Sequence, residues 1–141
     1  MKDISTALRT KYIAAITSLT DLSGASVTLY DRVPANAGDK YAYFGGFTDI
    51  EYTDKTAYGH ECTQTIIIVC QYTMNAGGQK EIDYIGNQII QFIRTRTGFD
   101  MSPDYDEVSV ILDNTSTAMR DIQGGVEYQK SIRFRHKIKE I

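Results

Sequence analysis

At 141 residues, with 42% apolar and 23% charged side chains, the chain suits one globular domain that buries roughly two thirds of the surface its unfolded form exposes. A formal charge of -3 and a pI near 5.3 exclude the overall cationic field with which proteins hold nucleic-acid backbones. No stretch approaches the roughly 20 apolar residues of a membrane span, and Met1-Lys2-Asp3 leads into an amphipathic pattern rather than a signal-peptide core, so the chain is expected in the cytosol of the cell that makes it.

Ile4, Leu8, Tyr12, Ala15, Ile16 and Leu19 recur at helical spacing and predict a helix from Ile4 to Leu19, with Asp3 or Ser5 at its start and Ser23-Gly24 after its end. Val27 to Tyr30 reads as a short strand, and Asp31 to Lys40, with Pro34 and Gly38, as a loop. Tyr41 to Phe47 is an aromatic strand whose Gly45-Gly46 pair predicts a bulge or a close backbone approach. Thr48 to His60 is expected to prolong it as a protruding hairpin or mobile arm.

Glu61 to Tyr72 is the plainest strand, because Thr65 to Cys70 is dense in β-branched residues and too short for an independent helix; it belongs in the middle of a sheet. After a break at Asn75 to Gly78, Ile82, Ile85, Ile89, Phe92 and Ile93 mark one helical face, with Gly98 as the stop. Past a turn at Pro103, Val108, Val110 and Leu112 alternate with Ser109, Ile111 and Asp113 in a further strand, and the polar run Asn114 to Gly125 reads as a loop. The last strand sets Val126, Tyr128, Ile132, Phe134 and Ile138 against Glu127, Gln129, Ser131, Arg133, Arg135, Lys137 and Lys139, with Lys130 and His136 interrupting the apolar side. This order predicts an α+β fold in which two helices pack on one face of a mostly antiparallel sheet, as a single domain over residues 1–141.

Sites of chemistry are not evident. The sequence contains no nucleophile elbow, phosphate loop, zinc helix or dinucleotide fingerprint. His60-Glu61-Cys62 combines a base, a carboxylate and a thiol, yet in a strand His60 and Cys62 share one face while Glu61 looks away. Cys62 and Cys70 stand about 26 Å apart along that strand, cannot pair with each other, and are expected as buried thiols. Asp49, Glu51 and Asp54, and further on Asp100, Asp104, Asp106 and Glu107, lack the spacing of a calcium loop and suit a solvated loop or an interface rim. No catalytic residue, cofactor or metal is therefore expected, and the chain reads as something other than an enzyme.

Two features point to assembly. Ten tyrosines accompany no tryptophan, and Tyr41, Tyr43, Tyr52 and Tyr58 crowd the long extended segment, where a ring can be buried at an interface with its hydroxyl satisfied. Arg133, Arg135, Lys137 and Lys139 form a basic stripe, and aligned like charges need an acidic neighbour strand, a partner subunit, solvent or phosphate beside them.

The whole arrangement resembles the tail-terminator, or tail-completion, proteins of long-tailed bacteriophages. The likeness lies in the amphipathic first helix, Val27-Thr-Leu-Tyr-Asp-Arg-Val-Pro34, the aromatic strand Tyr41-Ala-Tyr-Phe44, the strand ending Ile68-Val-Cys-Gln-Tyr72, and the glycine-containing break before the helix Ile82 to Ile93. Lys40-Tyr41 stands where that family commonly has Pro-Tyr. The resemblance implies a homo-oligomeric ring, usually sixfold, that is assembled in the host bacterial cytoplasm and resides in the virion. Such a ring stops tail-tube polymerisation and meets the head connector and neck proteins, with DNA only as cargo through its channel and no membrane partner. On that reading Phe47, Ile50, Tyr52 and Tyr58 are expected at a subunit or tube interface, and the basic stripe at an interface or lining the channel. Two alternatives stay open: a head-completion or neck-ring protein of the same particle, and a small-molecule or peptide-binding domain that uses the tyrosines as a pocket.

Overall fold

The computed structural model describes residues 1–74, 76–95 and 99–141. Helix α1 (Ser5–Ala15) is followed by β1 (Leu29–Tyr30), β2 (Lys40–Glu51), β3 (Gly59–Thr73), α2 (Gln79–Ile93), β4 (Tyr105–Ile122) and β5 (Gly125–Glu140). The strands form one sheet in the order β1-β2-β3-β5-β4, with only β1 and β2 parallel. Two helices against one face of this mostly antiparallel sheet make a single α+β domain. No described helix is long and apolar enough to cross a membrane.

The central strands take their place from their side chains. Along β3, His60, Cys62, Gln64, Ile66, Ile68 and Cys70 are buried and share one side, and along β5 the same side carries Ile132, Phe134, His136 and Ile138. From α1, Tyr12 sits edge-on to Phe44 and tilted against Phe134, at 6.1 Å from each. Gly86 of α2 lies so close to the sheet that an added Cβ would come within 3.1 Å of Lys130 and 3.4 Å of Ile132. Most of the core therefore belongs to this one face and the helices over it, joined by Ile16, Leu19, Val27 and Met101 from irregular segments.

Several elements differ from their sequence reading. Helix α1 stops at Ala15, four residues before Leu19, because Ile16 and Leu19 reach the core from an irregular segment instead. At its start Asp3 accepts the Ser5 amide at 2.9 Å. The strand expected from Val27 is only Leu29–Tyr30, since the amide of Val27 is already bound to the carbonyl of Leu19. Gly45-Gly46 does mark a bulge: the register with β3 shifts between Phe44 and Phe47, and a Cβ at Gly45 would meet Ile67 and Thr65 at 3.0 and 3.3 Å. The largest correction is Asn114 to Gly125. No loop is found there, because β4 continues to Ile122 and turns at Gln123-Gly124, where Gly124 has a φ of 82°. The helix stop assigned to Gly98 lies outside the described residues, as does Asn75 of the break before α2.

A polar clamp fastens the segment after α1. Gln88 of α2 both accepts the Thr20 amide (3.1 Å) and donates to the Thr20 carbonyl (2.8 Å). Glu81 accepts the Tyr72 hydroxyl at 2.6 Å and the Leu22 amide at 3.1 Å and pairs with Lys40 at 2.9 Å. Burial alone would push the Glu81 carboxyl up, but the hydrogen bonds from Tyr72 and Lys40 outweigh it and hold the group below its ordinary value.

Candidate assembly surfaces

The residues expected at an interface divide into two places. The bulge in β2 exchanges its faces, so that Phe47, opposite Gln64, turns to the helices and packs against the core. Ile50, opposite Glu61, projects from the bare face and is 65% exposed. The chain then turns through 52–58, closed by the Tyr52 amide on the Gly59 carbonyl at 2.9 Å. Within the turn, Asp54 accepts the amides of Thr56 and Ala57 and the Thr56 hydroxyl; these bonds, led by the Thr56 amide, lower its carboxyl to about 2. Tyr58 is half exposed, and the Tyr52 ring lies under the Lys137 ammonium at 5.6 Å. The segment is thus a structured turn with Ile50 and Tyr58 facing outward, while Phe47 belongs to the core side.

Tyr41 and Tyr43 stand elsewhere, in contact with each other (6.2 Å) and, through Tyr41, with Tyr30 (6.5 Å). Nine residues of strand, about 30 Å, separate Tyr43 from Tyr52. The four tyrosines of the extended segment therefore stand in two places rather than lining one pocket.

The basic stripe occupies the face of β5 that no helix covers, and acids from both neighbouring strands and a turn lie beside it. Arg133 Nε donates to Asp113 at 2.7 Å; Arg135 reaches Glu61 at 2.9 Å and Asp113 at 3.1 Å; Lys139 approaches Asp54 at 3.4 Å. Lys137 has the Tyr52 ring. Intrachain neighbours thus supply the counter-charge that the stripe needs. Further along the same face Glu127, 3% exposed, accepts from Gln71, Arg120 and Gln129 at 3.0, 3.2 and 2.9 Å. Sequence reading missed this site: Glu127 was one polar residue in an alternation, and the pairing that brings Arg120 of β4 and Gln71 of β3 to it is not visible in that pattern.

The two histidines are built into the protein rather than presented. His136 is fully buried, with Nε2 2.5 Å from the Tyr12 hydroxyl and Nδ1 3.0 Å from Glu107, and Phe99 stacks on its ring. Burial raises Tyr12 well above its ordinary value, so the phenol keeps its proton; its hydroxyl and Nε2 share one hydrogen bond, and Nδ1 faces the Glu107 carboxyl. His60 faces Asp49 at 3.0 Å and Glu140 at 3.3 Å. Burial, with Asp49 nearby, pushes the Cys62 thiol up to about 12, so it holds its proton at neutral pH. Glu61, across the sheet, is engaged with Arg135. Among the described residues no group of three or more His, Cys, Asp or Glu side chains could hold a metal ion.

No family model and no curated protein matches the sequence. Among solved structures the chain is similar to one from the virion of a native gene transfer agent (GTA) particle, at 14% identity and a TM-score of 0.75, with 99% of each chain covered. At that identity the likeness is one of fold, and it extends over the whole domain.

Proposed function

We propose that this protein is a structural component of a phage-type virion, of the tail-terminator kind. Its copies form a ring that caps the tail tube, ends its polymerisation and joins it to the head connector. The observation that carries the reading is the likeness, over essentially the full length of both chains, to a chain of a gene transfer agent virion. The distribution of side chains supports it: one sheet face is consumed by the core, while the other is bare, ion-paired and flanked by exposed Ile50 and Tyr58. A heterologous contact, in which one patch meets a different patch on the next copy, closes into a ring when the rotation permits. Tube growth then stops because the ring's far face does not copy a tube subunit.

Negative-stain imaging of the purified protein, alone and mixed with tail tubes of the same particle, tests this. Rings, or caps on one tube end, are the expected result. Binding to the portal side with tubes ignored would transfer the protein to the neck ring, and monomers indifferent to both would overturn the reading.

A further inference from the structure

We propose that the distal edge of β4, Asn114 to Ile122, pairs with the free outer edge of β2 at Thr48 to Glu51 in the next copy of this chain, joining successive sheets head to tail. The inference rests on the assembly reading above and adds the backbone contact by which copies join.

An edge strand offers unpaired amides and carbonyls to any passing strand, and proteins blunt such edges with bulges, charges, proline, short length or a cover. Strand β4 is an edge of 18 residues that is protected over only half its length. Its first half carries register shifts between Glu107 and Ser109 and between Leu112 and Asn114, and the Arg94 guanidinium donates to the Val110 carbonyl. From Asn114 to Ile122 the register with β5 then runs unbroken from Arg133 to Gly125. That stretch holds no proline and no lysine, and every residue before Ile122 is exposed. It amounts to about 30 Å of strand edge without a bulge.

The matching edge is on the other side of the sheet. Strand β1 covers β2 only at Ala42 and Tyr43, and among the described residues no strand lies outside Thr48 to Glu51, all four of which are exposed. β1 itself is two residues long, too short to receive a strand. Through the antiparallel neighbours β3 and β5, β2 and β4 run in opposite directions, so a copy set beside the first with its helices on the same side meets it antiparallel, the more stable ladder. The two edges lie at opposite ends of the sheet: Ile122 aligns with Gly125 and Thr73, whereas Glu51 aligns with His60 and Ile138. Each copy is therefore shifted along the strands relative to the last. A closing sheet takes up such stagger by tilting its strands.

This arrangement fixes parity. Ile50 lies on the bare face opposite Glu61, and Ser116, Ala118 and Arg120 lie on the same face opposite Ser131, Gln129 and Glu127. Residues opposed across a ladder share a face, so Ile50 meets Ser116, Ala118 or Arg120 of the neighbour and not Thr117 or Met119.

The experiment is cysteine cross-linking of the full-length protein under mild oxidation. Cys62 and Cys70 are buried, and burial raises their thiols to about 12 and about 11, so they stay silent. Ile50→Cys is combined in turn with Ser116→Cys, Ala118→Cys, Arg120→Cys and, as the wrong-face control, Met119→Cys. One of the first three should give a ladder of linked copies about tenfold stronger than the control, because a disulfide tolerates little error in distance. Rings or tube caps seen in the microscope without any such ladder would overturn the edge contact and leave the assembly reading intact. Strong dimers from Ala118→Cys alone would replace the head-to-tail contact with β4 on β4. If rings, caps and ladders all fail to form, the assembly reading falls with it.

Discussion

The two faces of strand β5 differ as much as any two regions of the molecule. On one side Ile132, Phe134, His136 and Ile138 are wholly excluded from solvent; on the other Arg133 and Lys137 are exposed and Arg135 is half-buried beside acids. A single alternation thus separates two tasks. Cohesion is concentrated under the helices, and on the proposed reading the bare face is the one that meets other molecules. If this division holds, substitutions on the first face should cost stability and those on the second should cost assembly.

The largest effect is expected at Phe134, which is fully buried and in contact with Tyr12. Phe134→Ala should lower the free energy of unfolding by about 3–5 kcal/mol, read from the urea midpoint. The neighbouring Arg133→Ala, on the exposed side, should cost less than about 1 kcal/mol. Equal losses would abolish the distinction between the faces.

The buried chain Tyr12–His136–Glu107 comes next. Tyr12→Phe removes the hydroxyl partner of His136 Nε2 and leaves that nitrogen unpaired in the core, for about 1–3 kcal/mol. Glu107→Ala removes the partner of Nδ1 in the same way. Since both changes act on one ring, the double variant should lose less than the sum of the singles. Additive losses would mean that the three groups do not act as a unit.

A smaller, pH-dependent effect belongs to Glu81. Its folded carboxyl is held below the ordinary glutamate value, so in acid the unfolded chain binds the proton more readily. The stabilisation is complete above the ordinary value and is lost as pH falls through the folded one. Glu81→Gln should therefore flatten the loss of stability in that acid window while leaving the shape of the curve near neutrality unchanged. An unaltered acid limb would remove Glu81 from the clamp around Lys40 and Tyr72.

These effects also indicate how far the fold was legible. Helix α2 and strand β3 announce themselves because each buries a periodic apolar set, and the Gly45-Gly46 bulge because a Cβ at Gly45 would crowd Ile67 and Thr65 at 3.0 and 3.3 Å. Asn114 to Ile122 does not, because an edge strand bare on both sides has no apolar period; its extended state comes from pairing with β5. His136 could be read as an interruption of an apolar face, but its partner Tyr12 is 124 positions away in the chain. In the same way the stripe was visible along β5 while the acids that balance it, Asp113, Glu61 and Asp54, come from other elements. Local pattern reveals which side chains need a partner, and topology decides which partner arrives.

The smallest effect on stability is expected at Asp113, and it bears most directly on what the bare face is for. The bulge after Leu112 places its carboxylate between two arginines, 2.7 Å from Arg133 Nε and 3.1 Å from Arg135 Nη2. These side chains retain contact with water, so Asp113→Ala should change the unfolding free energy by less than about 1 kcal/mol. The electrostatic change is larger, because two guanidinium groups lose one shared counter-charge on a face that is otherwise closely balanced. Retention on a polyanion column should increase and should weaken with salt more steeply than for the parent protein. Ring or cap formation should be altered while the urea midpoint stays in place. A midpoint shift as large as that of Tyr12→Phe would show that the bare face also holds the fold together, and the separation of cohesion from assembly would have to be abandoned.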